Sequence, residues 1–165
     1  MAQGVYRYFL KFFFRGQVEP LVAEVLERER DRVREIVAAN PVNATNEGFL
    51  CFDTVDGKSV AVNPNFVQVL HILFEPSFPS GPGRYEGPVL MYMRDADDPF
   101  ETFIEDPEQA YDLFFHLENG PDVVPAVSFD DEDGEQVIIA ARELLFIVIP
   151  RHVLEEGRQL VEEDM

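Results

Sequence analysis

Phe52-Asp53-Thr54-Val55-Asp56-Gly57 and Phe129-Asp130-Asp131-Glu132-Asp133-Gly134 stand 77 residues apart and share one plan: a strand end, an acidic turn and a glycine. Each is followed by a run rich in β-branched residues, so each reads as the turn of a β-hairpin. The register persists downstream without a gap. Val60 falls on Val137, Val62 on Ile139, Val67 on Leu144, Leu70 on Ile147 and Ile72 on Ile149. Upstream, Ile36 and Val37 fall on Leu113 and Phe114, inside helical patterns in both places. Phe12-Phe13-Phe14-Arg15 resembles Met91-Tyr92-Met93-Arg94 after a small shift. Asp-Gly hairpins arise independently in many chains, so it is the long constant register that points to an internal duplication.

The expected fold is α+β. Two β-α-β-β units with one helix each, residues 1–75 and 89–165, are expected to form two mostly antiparallel sheets, or one continuous sheet or half-barrel. They are joined by a linker over 76–88 that is rich in proline and glycine. The whole is expected to form a single pseudo-twofold domain.

In the first unit, residues 5–15 alternate as a strand, with Tyr6, Tyr8, Leu10, Phe12 and Phe14 on one face. Pro20 suits a first helical turn, and the helix is expected to run to about Ala39, with Val22, Val25, Leu26, Val33, Ile36 and Val37 as its apolar stripe. Asn40-Pro41 ends it. Strands over 49–54 and 58–63 form the hairpin, and 66–74 continues as a strand, or as a short helical turn followed by one. The second unit opens with a strand over 89–94. Asp106-Pro107-Glu108-Gln109 is a helix start with Asp at the N-cap, Pro at N1 and Gln at N3. The helix over 107–118 presents Ala110, Leu113, Phe114 and Leu117 inward, and Asn119-Gly120 stops it. A hairpin over 123–129 and 136–140 and a strand over 143–150 follow. Residues 152–164 form a weakly amphipathic helix interrupted by Gly157, with a mobile acidic end.

The chain has 165 residues, of which 46% are apolar and 27% charged, so it is not a disordered acidic tail. Its net charge of −19 opposes generic binding to nucleic acid or to anionic membrane surfaces. No apolar run approaches the ~20 residues of a membrane span. Met1-Ala2-Gln3-Gly4 lacks the basic start and apolar stretch of a signal peptide, and a single cysteine fits a reducing compartment, so a cytoplasmic location is expected. Acidity of this size is first a source of solubility. Beyond that it suits a basic protein partner or mimicry of DNA.

Chemistry-bearing patterns are sparse. The turn at 130–134 resembles a calcium loop only superficially. With Gly134 at the loop's sixth position, Phe129 and Ala140 occupy the two places that require carboxylates. Glu108, Asp112 and His116 share one face of a helix at metal-ligand spacing, but exposed trios of this kind are common, and no metal or cofactor is expected. His71 lies in an apolar row and reads as a packed, hydrogen-bonded residue. Cys51, which aligns with Ser128, has no cation beside it in sequence to activate the thiol. Asn43-Ala44-Thr45 is a glycosylation sequon that means nothing without secretion. No nucleophile elbow, phosphate loop or dinucleotide fingerprint is present.

These observations favour a non-enzymatic acidic interaction or regulatory protein built as an intramolecular pseudo-dimer. A basic partner would dock on Asp95, Asp97 and Asp98, on Asp130, Asp131, Glu132 and Asp133, or on the acidic tail 155–164, where carboxylates are densest. Two alternatives stand beside it. One is a small-ligand or metal-binding protein, or an enzyme, with a site between the units drawn from Glu108, Asp112, His116 and His71. The other is a DNA-mimic inhibitor of a basic protein.

Overall fold

The strand Leu144–Pro150 is buried at every position, and the rest of the molecule is arranged about it. The computed structural model describes residues 6–39, 48–76 and 83–164. In chain order these form β1 (Tyr6–Phe14), β2 (Leu21–Val25), α1 (Glu27–Ala39), β3 (Leu50–Asp53), β4 (Lys58–Val62), a 3-10 turn (Pro64–Phe66) and β5 (Val67–Pro76). There follow β6 (Val89–Met93), β7 (Phe100–Thr102), α2 (Pro107–Asn119), β8 (Ala126–Asp130), β9 (Gln136–Ala140), a second 3-10 turn (Ala141–Glu143), β10 (Leu144–Pro150) and α3 (Arg151–Glu163). The protein is a mixed α+β structure whose strands all pair antiparallel.

The strands make three sheets: β2-β1-β5, β3-β4-β10-β6-β7, and the hairpin β8-β9. The five-stranded sheet is covered on both faces, which is why β10 reads as an unbroken apolar run. Phe146 and Val148 turn to a core shared with Leu10, Phe12, Phe14, Val33, Val60 and Val62. Ile147 and Ile149 turn the other way, to Ala61, Met91, Leu113, Phe114, Leu117 and Phe129. Stacked rings tie the first core together: Phe146 lies 5.1 Å from Phe14 and 4.2 Å from Tyr92, centroid to centroid. The expected inward face of α2 is the observed one, and that of β1 holds from Tyr8 to Phe14, while Tyr6 at its start is 45% exposed.

Several expectations are corrected. Leu21–Val25 is a strand rather than the start of the first helix. Its alternating, β-branched sequence pairs with β1 from Tyr8↔Val25 to Phe12↔Leu21, and tertiary pairing overrides the helical reading of Val22 and Leu26. The short edge strand β7, pairing on β6, was missed. Each expected β-α-β-β unit therefore holds an additional strand before its helix. The hairpin β8-β9 is a sheet of its own, so the expected two sheets are three. Asp106 caps α2 by accepting from the Glu108 amide at 3.0 Å, as expected. The Gln109 side chain instead turns to β8, donating to Asp130 Oδ2 at 3.2 Å and accepting from the Asp130 amide at 2.6 Å.

Gly157 does not interrupt α3, which runs continuously along α2. A Cβ at Gly157 would sit 1.9 Å from the Pro107 carbonyl oxygen, so the glycine is where two helix backbones approach. The linker is shorter than expected, because β5 extends to Pro76. Residues 40–47, with the helix stop Asn40-Pro41 and the sequon at Asn43, lie outside the described residues, as does the middle of the linker.

Candidate functional site

The junction between the two halves of the chain opens into a cleft of about 310 Å³, lined by α1, β3, β4, α2 and α3. Its polar wall is built where α1 meets β3. Glu29 and Arg32 are one helical turn apart, and they form a bidentate pair with both contacts at 3.1 Å. The pair also grips the neighbouring strand: the Asp53 amide donates to Glu29 Oε2 at 2.9 Å, and Arg32 Nη2 donates to the Cys51 carbonyl oxygen. Burial alone would raise the Glu29 pKa. The Arg32 guanidinium and the Asp53 amide outweigh it and hold the carboxyl below its ordinary value. Ser59 Oγ donates to Asp53 Oδ1 at 2.7 Å, a bond between partners on adjacent strands.

The other side of the cleft carries Tyr111 and Phe115 from α2 and Arg151 and Arg158 from α3. Arg151 is anchored, with its backbone amide donating to the Gly57 carbonyl at 2.9 Å and its Nη1 to the Thr54 carbonyl at 3.4 Å. Cys51 also lines the cleft. Burial first, and then the nearby Glu118 carboxylate, push its pKa well above the ordinary thiol value, so it is a protonated thiol at neutral pH. The cleft therefore presents guanidinium, carboxylate and aromatic groups together, with Glu118 and Glu155 beside the arginines, and can hold a polar small molecule. Its cysteine is not poised as a nucleophile.

The residues singled out for a metal are elsewhere. Asp112 and His116 lie beside a shallow groove between α2 and the β8-β9 hairpin, with Asp112 exposed and Glu108 half-buried one turn before it. Among the described residues, no three His, Cys, Asp or Glu side chains gather where they could hold a metal ion. His71 is on β5, in the separate sheet β2-β1-β5, paired across from Lys11. It is exposed rather than packed, because no described element covers the outer face of β2-β1-β5 in front of it. Glu108, Asp112, His116 and His71 thus do not form a site between the units. The junction cleft is made from other residues, chiefly Arg32, Asp53, Arg151 and Arg158, and these came from elements whose packing no local pattern announces.

The expected docking residues are at the surface. Asp95, Asp97 and Asp98 occupy the exposed turn between β6 and β7, where Asp95 adopts a left-handed backbone with φ 61°. In the turn after β8, Asp131 Oδ1 accepts from the amides of Asp133 and Glu135, both at 2.9 Å. That carboxylate is used to brace the turn, while Glu132 and Asp133 project from it exposed. Asp130 is tied to Gln109.

Comparison with protein-family models, with curated proteins and with solved structures returns no match to this chain. No helix among the described residues is long and apolar enough to cross a membrane.

Proposed function

We propose that the chain is a non-enzymatic interaction protein, a duplicated unit (1–75 and 89–165) packed as an intramolecular pseudo-dimer, whose acidic loops dock a basic protein. Support for the duplication comes from strand register. On β1 and β5, Phe13 pairs with Val69, Phe12 with Leu70 and Lys11 with His71. On β6 and β10, Tyr92 pairs with Phe146, Met91 with Ile147 and Leu90 with Val148. The second set is the first moved by 79 residues on one strand and 77 on the other. Both pairs then shift register at the matching place, between Phe13 and Phe14 in one and between Leu144 and Phe146 in the other. The two 3-10 turns, at Pro64–Phe66 and Ala141–Glu143, are also 77 apart. Bulges are specific features that a chance resemblance does not reproduce in place.

The observation that carries the docking reading is the distribution of ion pairs. Most of the chain's cations are spent on carboxylates within the fold, Arg7 on Glu24, Arg30 and Arg34 on Asp31, and Arg32 on Glu29 among them. Asp97, Asp98, Glu132 and Asp133 are left exposed with no ion pair among the described residues. Loops of this kind focus a negative field on solvent and steer a cationic partner. The test is affinity capture from the host at low and high salt, comparing the native chain with D97N/D98N/E132Q/D133N and with a control neutralising four exposed carboxylates outside the three acidic clusters, E19Q/E35Q/E105Q/E143Q. A partner held at low salt, released at high salt, and lost only with the loop variant is expected. No partner, or one indifferent to the loop variant, ends the reading.

The junction cleft favours a second reading, a small-ligand site between the units. Arg158 lines the cleft and has no ion pair among the described residues. Under this reading a panel of small anions raises the thermal midpoint of the native chain and not of R158Q. The absence of any stabilising anion removes it.

A further inference from the structure

The sheet that joins the two halves uses only half of the edges the duplicated units offer. Within the chain, β4 of the first half pairs with β10 of the second, with Val62↔Phe146, Ala61↔Ile147 and Val60↔Val148 in register. Moved by 77 residues, the same joint is β9 against β5, with Ile139 opposite Val69, Ile138 opposite Leu70 and Val137 opposite His71. That joint is not made inside the chain. Among the described residues, β9 is bonded only to β8, and β5 only to β1.

The two unmade edges look like the made ones with their partner removed. At the made joint, Ala61 and Phe146 are 0% and 6% exposed. Their equivalents at the open edges, Ile138 and Val69, are 66% and 52% exposed. The transposed facing is also consistent. Phe146 reaches from β10 into the core of the first half, and Val69 would reach in the same way over Val137 and Ile139 of a second hairpin.

The stretches that would meet carry no protective charge or proline: in a chain with 27% charged residues, 67–74 and Gln136–Ala140 hold no Asp, Glu, Lys, Arg or Pro. Glu75 and Pro76 close β5 beyond the joint, and its register shift lies at its start, between Val67 and Val69. The β8-β9 hairpin packs on α2 but has no third strand bonded to it among the described residues, and a third strand adds to the stability of a two-stranded sheet.

We infer that the chain associates with a second copy of itself by strand addition, β9 of one molecule pairing antiparallel with β5 of the other. The inference rests on the duplication proposed above. The joint is heterologous, since two different edges meet, so it closes as a dimer only if each copy supplies both edges, and otherwise grows head to tail. It is held by backbone hydrogen bonds and apolar contact between two acidic bodies. Salt therefore strengthens it by screening their mutual repulsion, the reverse of its effect on a basic partner.

The test is sedimentation velocity of the full chain across a dilution series, at low and high salt, for the native protein, for I138K and for V69K. Both substitutions are at exposed positions, and unchanged circular dichroism with a cooperative thermal transition establishes that each variant is folded. Native association that tightens with salt, and that each variant weakens about tenfold or more, is expected. Mixing the two variants is the sharper arm. I138K retains a sound β5 and V69K a sound β9, so the mixture regains one joint and forms heterodimers that neither variant forms alone. A native chain that stays monomeric at every dilution overturns the inference and leaves the duplication untouched. Association that both variants keep intact overturns it too.

Discussion

Gly57 and Gly134, 77 residues apart, both turn their hairpins with a left-handed backbone, at φ 88° and 76°, yet their surroundings differ completely. A Cβ on Gly57 would lie 2.5 Å from the Tyr85 amide nitrogen and 2.6 Å from the Gly83 carbonyl oxygen, whereas one on Gly134 would meet nothing within 4 Å. The first turn is packed under the segment that follows β5. The second stands in solvent.

Alanine at the two positions separates backbone strain from packing. At either one, a left-handed L-residue costs roughly 1–2 kcal/mol. Only at Gly57 must backbone atoms also move, which adds about 1–3 kcal/mol of overpacking. Gly57→Ala should therefore lower the thermal midpoint clearly more than Gly134→Ala, as calorimetry of the two variants reads directly. Equal losses would mean that the packing of residues 83–85 over Gly57 contributes nothing.

Gly157→Ala sets two effects of opposite sign against each other. Alanine is worth about 1 kcal/mol over glycine inside a helix, which alone predicts stabilisation. The added Cβ, however, would fall 1.9 Å from the Pro107 carbonyl oxygen, a backbone atom that no rotamer change can move aside. Forcing α3 off α2 costs about 1–3 kcal/mol or more, so the expected net result is destabilisation. For a chain of this size each kcal/mol lowers the midpoint by about 2–4 °C. A midpoint that rises in Gly157→Ala would contradict the close helix approach.

What could be read from sequence follows the range of the forces involved. Alternation marked β1 and its inward face from Tyr8 to Phe14, and the 3.6 period marked Ala110, Leu113, Phe114 and Leu117, because both patterns record burial of one local face. Leu21–Val25 misled, since five residues with apolar positions after a proline suit a helix start or a strand, and only pairing with β1 decides. The made joint between β4 and β10 brings together residues more than eighty positions apart. The junction cleft is assembled from five elements in the same way. No spacing in the chain marks Arg32 and Arg158 as neighbours of one cavity.

Zinc titration tests the α2 face. Asp112 and His116 are on the side of the helix away from the buried stripe, beside a shallow groove whose other carboxylate, Asp130, is tied to Gln109, and among the described residues no three ligands gather there. Calorimetry should detect no micromolar or tighter zinc site, and His116→Ala should leave the isotherm unchanged. A tight constant lost in His116→Ala would reverse this.

The acid response of the fold should run in part through Glu29. Burial raises its pKa, but the bonds from Arg32 and from the Asp53 amide more than compensate, so the folded value is below the unfolded one. The sign follows from linkage: the unfolded chain takes up its proton first as pH falls. The contribution is complete above the unfolded value and is lost as pH falls through the folded one. Arg32 is partly exposed, and solvent screening limits the worth of the pair to about 1 kcal/mol. Glu29→Gln keeps the size and one acceptor but removes the charge, so it should be less stable than the native chain by about that amount at neutral pH. The gap should then narrow as the buffer is taken below the ordinary carboxylate range, where the native Glu29 is itself protonated. Asp56 is held low in the same direction, with burial again opposed and outweighed, here by bonds from Thr54 and Lys58, so Asp56→Asn should behave alike. Thermal midpoints of the three proteins against pH are the measurement. A gap between native and Glu29→Gln that stays constant or widens in acid would show that the carboxylate's charge does not hold α1 to β3.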